Sequence, residues 1–138
     1  MRSLFNRIFS DATAGMLEKA LAGSSLRHKV IGNNIANVNT PGYKRAEVSF
    51  ENELAAATRS EPPSGLTLTH AKHLSPKPKS GYSPSVNEIS NTSLRTDGNN
   101  VDIDAEMAAM TKNNLFYNAV AQRLGNYYTN IKSAIKGG

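Results

Sequence analysis

"DIDAEMAAMTKNNLFYNAVAQRLGNYYTNIKSAIKGG", residues 102–138, is the stretch that decides how this chain folds. Ile103, Met107, Met110, Asn114, Tyr117, Ala121, Leu124, Tyr128, Ile131 and Ile135 follow one another at steps of four and three, which lines up one face of an α-helix. Asp102, Asp104 and Glu106 stand where the positive end of the helix dipole favours carboxylates. Lys132 and Lys136 stand near the other end, and Gly137 can supply the left-handed residue that stops the helix. Pattern, caps and charge together predict one helix over 103–136, about 50 Å long at 1.5 Å per residue. Phe116, Val120 and Tyr127 add a second apolar stripe beside this seam, more than one partner helix can cover, and are candidates for contact with other chains.

A second seam precedes it. Ala14, Leu17, Leu21, Ser24, His28, Ile31, Ile35 and Val38 recur at alternating steps of three and four, with polar interruptions at Ser24 and His28. Ser10 or Asp11 can cap the start, and Pro41 drives the residue before it out of the helical region, so a first helix is expected over about 11–38. Leu17, Leu21, Ile31, Ile35 and Val38 are expected to pack against Ile103, Met107, Met110, Tyr117, Leu124, Tyr128, Ile131 and Ile135. The predicted fold class is mainly α. Two long terminal helices pair as a coiled-coil-like hairpin around an irregular, Pro/Ser-rich middle with room for one short β-hairpin.

Between the helices, Thr40-Pro41-Gly42-Tyr43 fits a type II turn, with proline at the second position and glycine supplying positive φ at the third. Ala46, Val48 and Phe50 alternate like a short strand, or begin a weak helix continuing through Leu54. From Ser60 to Asn100 only 8 of 41 residues are apolar, about half the whole-chain fraction of 38%, and five of the six prolines lie there, which indicates irregular structure. One unit of 138 residues is expected: an N-terminal segment over 1–10, the first helix over 11–38, the turn and short element over 39–58, the irregular middle over 59–101, and the second helix with its cap over 102–136.

Composition narrows the chemistry. The chain has no cysteine, hence no disulfide staple, thiolate chemistry or zinc-finger spacing. Its net charge of +5 is spread along the sequence, with Arg27/Lys29 and Lys44/Arg45 as the tight basic pairs. The opening MRSLFNRIF breaks its apolar run at Asn6 and Arg7, too early for a secretory signal, and no transmembrane span is read. His70 and His73 form an H-x-x-H pair with no cysteine or nearby carboxylate to complete a metal site. The acids of DGNNVDIDAE fit a helix cap, since Val101 and Asp102 fall where a calcium loop needs an oxygen ligand and a glycine. Arg123, Tyr127, Tyr128 and Lys132 combine cations and aromatics, but Tyr128 is needed in the seam and no nucleic-acid motif accompanies them. Neither a catalytic set nor a cofactor or metal site is expected, and no nucleic-acid partner.

One feature stays open on chemistry alone. Asn33, Asn34, Asn37 and Asn39 crowd the end of the first helix, where amides can satisfy the last carbonyls and pair with a neighbouring backbone, or simply face water.

NNIANVNTPGYKR, residues 33–45, resembles the N-terminal signature of the bacterial flagellar axial proteins, the rod and hook family, in which an asparagine-rich helix end runs into T-P-G and an aromatic residue. LTLTHAKHL at 66–74 and GNNVDIDAEMAAMTKNNLFYNAVAQRL at 98–124 are similar to its proximal rod members. The chain has no room for the extra domain of distal-rod and hook members. Asn39 departs from the aspartate of many relatives but keeps an acceptor. The resemblance implies a structural subunit of the basal-body rod, not an enzyme, with Asn33, Asn34, Ile35, Ala36, Asn37, Asn39, Thr40, Pro41, Gly42 and Tyr43 as family-motif and subunit-contact residues. It also implies manufacture in the cytoplasm, export by the flagellar type III apparatus without a cleaved signal, and a rod spanning the periplasm. Its implied partners are further copies and other rod proteins in a helical hetero-oligomer: the sister protein FlgC, distal rod subunits, the MS-ring adaptor FliE and the export gate. FlgC itself is the nearest alternative within the family; outside it, a soluble helical adaptor or export chaperone shares the hairpin pattern.

Overall fold

The computed structural model describes residues 12–58 and 84–137. The expected N-terminal segment, the His70/His73 pair and the 66–74 motif lie outside the described residues. In chain order the elements are α1 (Ala12–Ala36), β1 (Ala46–Ser49), α2 (Glu51–Thr58), β2 (Ser85–Glu88) and α3 (Ile103–Lys136). The fold is mainly helical, with two long helices and one short antiparallel sheet between them.

Local chemistry sets the ends of α3. Asp102 is extended, and its carboxylate accepts from the backbone N–H groups of Asp104 and Ala105 at 3.0 and 3.3 Å, two donors that an unaided helix start leaves unpaired. At the other end Gly137 takes φ 81° and its N–H returns to the Ser133 carbonyl. α1 stops two residues earlier than its seam suggests, because Asn37 and Val38 tighten into turns on the carbonyls of Asn33, Asn34 and Ile35. The chain then reverses at Thr40–Tyr43, where Gly42 has φ 71° and Tyr43 N–H bonds the Thr40 carbonyl at 3.3 Å, as a type II turn requires.

Both readings of the next segment are realised in succession. Ala46–Ser49 pairs with β2 in the register Ala46↔Glu88 to Ser49↔Ser85, and the chain then coils into α2. Val48 of this strand and Phe50 just after it are buried and pack with Val30, flanked by Leu26, Ala46 and Leu54. Phe50 also meets Phe116 of α3 at 6.2 Å between ring centroids, and the Arg27 guanidinium lies 4.4 Å over its face. This small apolar core sits at one end of the molecule, beneath the turn.

α1 and α3 run antiparallel, as three cross-contacts show: Asn34 with Glu106, Ser24 with Asn113, and Glu18 with Tyr128. The face of α3 turned to α1 is the ladder Glu106, Asn113, Val120, Tyr127 at seven-residue steps, buried at its first two rungs and half-buried at the others. Of the residues expected to meet other chains, Val120 and Tyr127 are half-buried on this face and Phe116, 39% exposed, meets Phe50, while the seam residues Met107, Tyr117, Tyr128 and Ile135 are 55, 41, 47 and 61% exposed. Ile103 is also exposed, whereas Met110, Leu124 and Ile131 are half-buried beside the ladder. On α1, Leu17 and Ile31 are buried, and Leu21, Ile35 and Val38 half-buried. The physical reason is polar: Ser24 and Asn113 exchange two hydrogen bonds of 2.9 Å in a buried setting, and leaving such groups unpaired costs more than exposing an adjacent apolar strip.

Phe50→Ala removes the ring that joins strand, α1 and α3, and is expected to destabilise the chain by about 3–5 kcal/mol in a denaturant melt followed by circular dichroism. Leu94→Ala, at a site two-thirds exposed, is expected to stay within about 0.5 kcal/mol of the parent.

Candidate functional site

The asparagine-rich helix end is a clasp that ties the last turn of α1 to β1 and to the first turn of α3. Asn34 on the last turn of α1 is 1% exposed. Its side-chain oxygen accepts from the Ala46 N–H at 3.0 Å, and its amide nitrogen donates to the Ala46 carbonyl at 2.8 Å. One side chain thus completes both hydrogen bonds of a β1 residue, as a neighbouring strand would. The same amide nitrogen also donates to Glu106 Oε2 at 3.1 Å, and the Tyr43 hydroxyl donates to Asn34 Oδ1 at 3.3 Å.

Glu106, in the first turn of α3, is equally buried and receives the Arg45 Nε–H as well as Asn34. Arg45 also lies 3.6 Å from Glu47 at the surface. A carboxylate this deep is tolerated because a guanidinium and an amide supply its hydrogen bonds. Tyr43 feels the arrangement: burial first, then the charges of Glu106 and Glu88, push its phenol above the ordinary value.

Asn99 and Asn100 close the clasp from the other side. Asn99 Nδ2 donates to the carbonyls of Asn37, Val38 and Thr40 at 3.0, 3.1 and 2.9 Å, satisfying groups that the end of α1 leaves open. Its oxygen accepts from Val101 N–H at 2.8 Å. Asn100 accepts from Arg45 N–H and donates to the Ile89 carbonyl and the Thr92 hydroxyl. Lys44 Nζ fixes the loop by donating to the carbonyls of Thr92 and Gly98 at 2.9 and 2.7 Å. Gly98 takes φ 84°, which a side chain would strain.

The remaining amides serve locally. Asn37 Nδ2 returns to the Asn33 carbonyl, the Thr40 hydroxyl bonds Asn37 Oδ1, and Asn39 accepts from Arg95 at 3.4 Å. Asn33, Ala36, Asn39, Thr40, Pro41 and Gly42 are exposed, a rim of backbone and small side chains around the clasp. Away from it, a shallow groove of about 230 Å³ between α1 and α3 is lined by Ser25, His28, Asn113, Asn114 and Tyr117. Among the described residues no group of three or more histidines and carboxylates could hold a metal ion, and no helix is long and apolar enough to cross a membrane.

The family motif is legible in the sequence, and Glu106 and Arg45 read there as a helix-start acid and half of a basic pair, but nothing local joins them to each other or to Asn99 and Asn100. The signal available for them was an amide pair just before a helix cap, and an acid one turn into a helix that could answer the basic pair Lys44/Arg45.

The geometry describes a structural joint. Residues 17–44 match a family described as flagella basal body rod protein. Among curated proteins, the chain is similar to the flagellar basal body rod protein FlgB of Bacillus subtilis, 36% identical over 130 residues that cover 93% of this chain and 96% of the relative. It is also similar to FlgB of Borreliella burgdorferi, 37% identical over 81% of this chain and 87% of the relative. FlgB of Salmonella typhimurium is 31% identical over 93% of this chain and 96% of its own length.

Asn34→Asp replaces the donor by a carboxylate facing Glu106 and the Ala46 carbonyl. Destabilisation of several kcal/mol is expected at neutral pH, with partial recovery on acidification, because the folded pair then binds a proton more tightly than the unfolded chain does. Denaturant melts across pH test this; a variant indifferent to pH would show that the two groups do not meet. For Tyr43 the folded phenol titrates above its unfolded value, so its contribution is complete below about pH 10 and is lost as pH rises through the folded value. Stability of Tyr43→Phe is expected to fall less steeply than the parent's above that pH.

Proposed function

The chain belongs to the flagellar basal body rod family, and we propose that the clasp holds its two terminal helices in register so that their uncovered faces can build the rod with neighbouring subunits. It is a structural subunit of the proximal rod and not an enzyme. The observation that carries this reading is the extent of likeness: relatives named for the rod match it over 93% of its length. A soluble adaptor or export chaperone is not favoured, nor is the sister rod protein FlgC, since the relatives carry another name.

In this reading Met107 and Ile135, with the exposed parts of Tyr117 beside the α1–α3 groove and of Tyr128 beside Glu18, form an apolar surface that a single chain leaves open. Neighbouring subunits cover it, and the exposed rim from Asn33 to Gly42 forms a second contact. Val120 and Tyr127 belong to the intrachain side, and Phe116, 39% exposed beside Phe50, adds to the open surface. Contacts between different surfaces that do not close into a ring generate an open helical tube. The partners are further copies, FlgC, the distal rod subunits, the MS-ring adaptor FliE and, on the way out, the export gate. Export through the type III apparatus without signal cleavage fits a chain that lacks cysteine.

Deletion of the gene, with electron microscopy of basal bodies and a swimming assay, is expected to leave rings without a rod, and the parent copy is expected to restore both rod and swimming. Intact rods in the deletion strain would overturn the reading. Leu124→Asp, at a half-buried position beside the interhelical ladder, is expected to abolish assembly. Pro41→Ala/Gly42→Ala lets α1 run on, and non-motile cells are expected; normal rods would mean that the turn is dispensable for packing.

A further inference from the structure

We propose that Asp97-Gly98 is a site of spontaneous isomerisation to isoaspartate, open in the unfolded chain and closed once the clasp forms. It is the one place in the sequence where an aspartate or asparagine precedes glycine. Glycine has no side chain to crowd its backbone nitrogen, so that nitrogen can reach Cγ of the preceding residue. The fold nevertheless needs this pair. Gly98 has φ 84°, where a side chain would be strained. The Asp97 carboxylate accepts from the Asn99 N–H at 3.1 Å and lies 3.2 Å from Arg95 Nε.

The step exchanges only water. The Gly98 nitrogen attacks Cγ of the protonated Asp97 carboxyl group, the N–Cγ bond forms, and the hydroxyl leaves with the nitrogen's proton as water. Water then opens the five-membered imide. Addition at Cγ restores aspartate. Addition at the α-carbonyl carbon breaks the original peptide bond, leaving a main chain that runs through Cβ and Cγ and a carboxylate on Cα. One water is lost and one regained, with nothing oxidised or reduced.

The folded loop withholds both reactants. The Gly98 N–H is given to the Arg95 carbonyl at 3.1 Å. Both carboxylate oxygens are held, Oδ1 by Asn99 and Oδ2 by Arg95, which fixes the group against rotation toward the nitrogen. The backbone on either side is tied across the clasp, the Asp97 carbonyl to the Gly42 N–H at 2.9 Å and the Gly98 carbonyl to Lys44 Nζ at 2.7 Å. Closing the imide ring turns this backbone and breaks those bonds, so reaction waits for the loop to open.

Isomerisation acts back on the fold. The added main-chain carbon shifts the carbonyls that Gly42 and Lys44 bond, and with them Asn99, whose amide serves three carbonyls at the end of α1. An isoaspartyl chain therefore cannot close the clasp, and time spent unfolded, rather than total age, sets the damage.

The full chain, incubated in buffer and in denaturant, is labelled with a carboxyl methyltransferase specific for isoaspartate, and the position is mapped by electron-transfer mass spectrometry. Label is expected at residue 97 in denaturant and at least about tenfold more slowly in buffer, where the open loop is rare. Asp97→Glu, which would need a six-membered ring, is expected to abolish the label in denaturant. Arg95→Ala, at a side chain 49% exposed, releases one carboxylate oxygen. It is expected to speed labelling in buffer severalfold, with unchanged circular dichroism and an unchanged rate in denaturant. Equal rates for the parent in buffer and denaturant, label confined to other residues, or an isoaspartyl chain that refolds with the parent's denaturant midpoint would each overturn a site gated by folding. Should Arg95→Ala unfold, the parent's two rates decide alone.

Discussion

The rest of the structure depends on one buried amide. Asn34 sits at the end of α1, where the helix has run out of internal partners, and it serves at once as a surrogate strand for Ala46 and as a donor to Glu106. Those two roles come from elements that are 12 and 72 residues away along the chain. Each hydrogen bond contributes only about 0.5–1.5 kcal/mol net, but each buried group left unmet costs about 1–3 kcal/mol. Misalignment of the helices by one residue would leave several groups unmet together, so the clasp specifies register more than it adds stability.

Everything built on the clasp inherits that register. With Glu106 held against Arg45 and Asn34, the ladder one heptad on must face α1 at Asn113, where it finds Ser24. The helix interface is therefore polar at its best-buried rungs, and the apolar stripe falls to one side. A hairpin that sealed its own hydrophobic seam would have little left for neighbours. This one satisfies its polar groups internally and keeps Met107 and Ile135 uncovered, which suits a protein whose apolar burial is completed between molecules rather than within one.

The small core beneath the turn plays a supporting part. Val30, Val48 and Phe50 are too few to hold two long helices, and Arg27 reinforces them by stacking on Phe50 while bonding the Val48 carbonyl and Glu51. Burial acts to raise the Glu51 carboxyl, but the hydrogen bond from Arg27, with backbone N–H bonds, outweighs it and holds the carboxyl below its ordinary value. Sheet, core and clasp cluster at one end of the helix pair, and α3 runs from there along α1.

By itself the sequence determined the two long helices, their caps at Asp102 and Gly137, the type II turn at Pro41-Gly42 and the kinship of the asparagine-rich motif. Each is a local matter, settled by spacing, dihedral preference or the dipole of a single helix. Heptad spacing also showed that α3 has more apolar surface than one partner covers. Only the tertiary structure decided which stripe faces inward. Hydrophobic periodicity gives no weight to Glu106 and Asn113, yet an unpaired buried carboxylate or amide is costlier than an exposed methionine, so these two polar residues choose the face. The same holds for Asn99: nothing within its own neighbourhood reveals three carbonyls waiting some sixty residues upstream. That is a property of the folded chain.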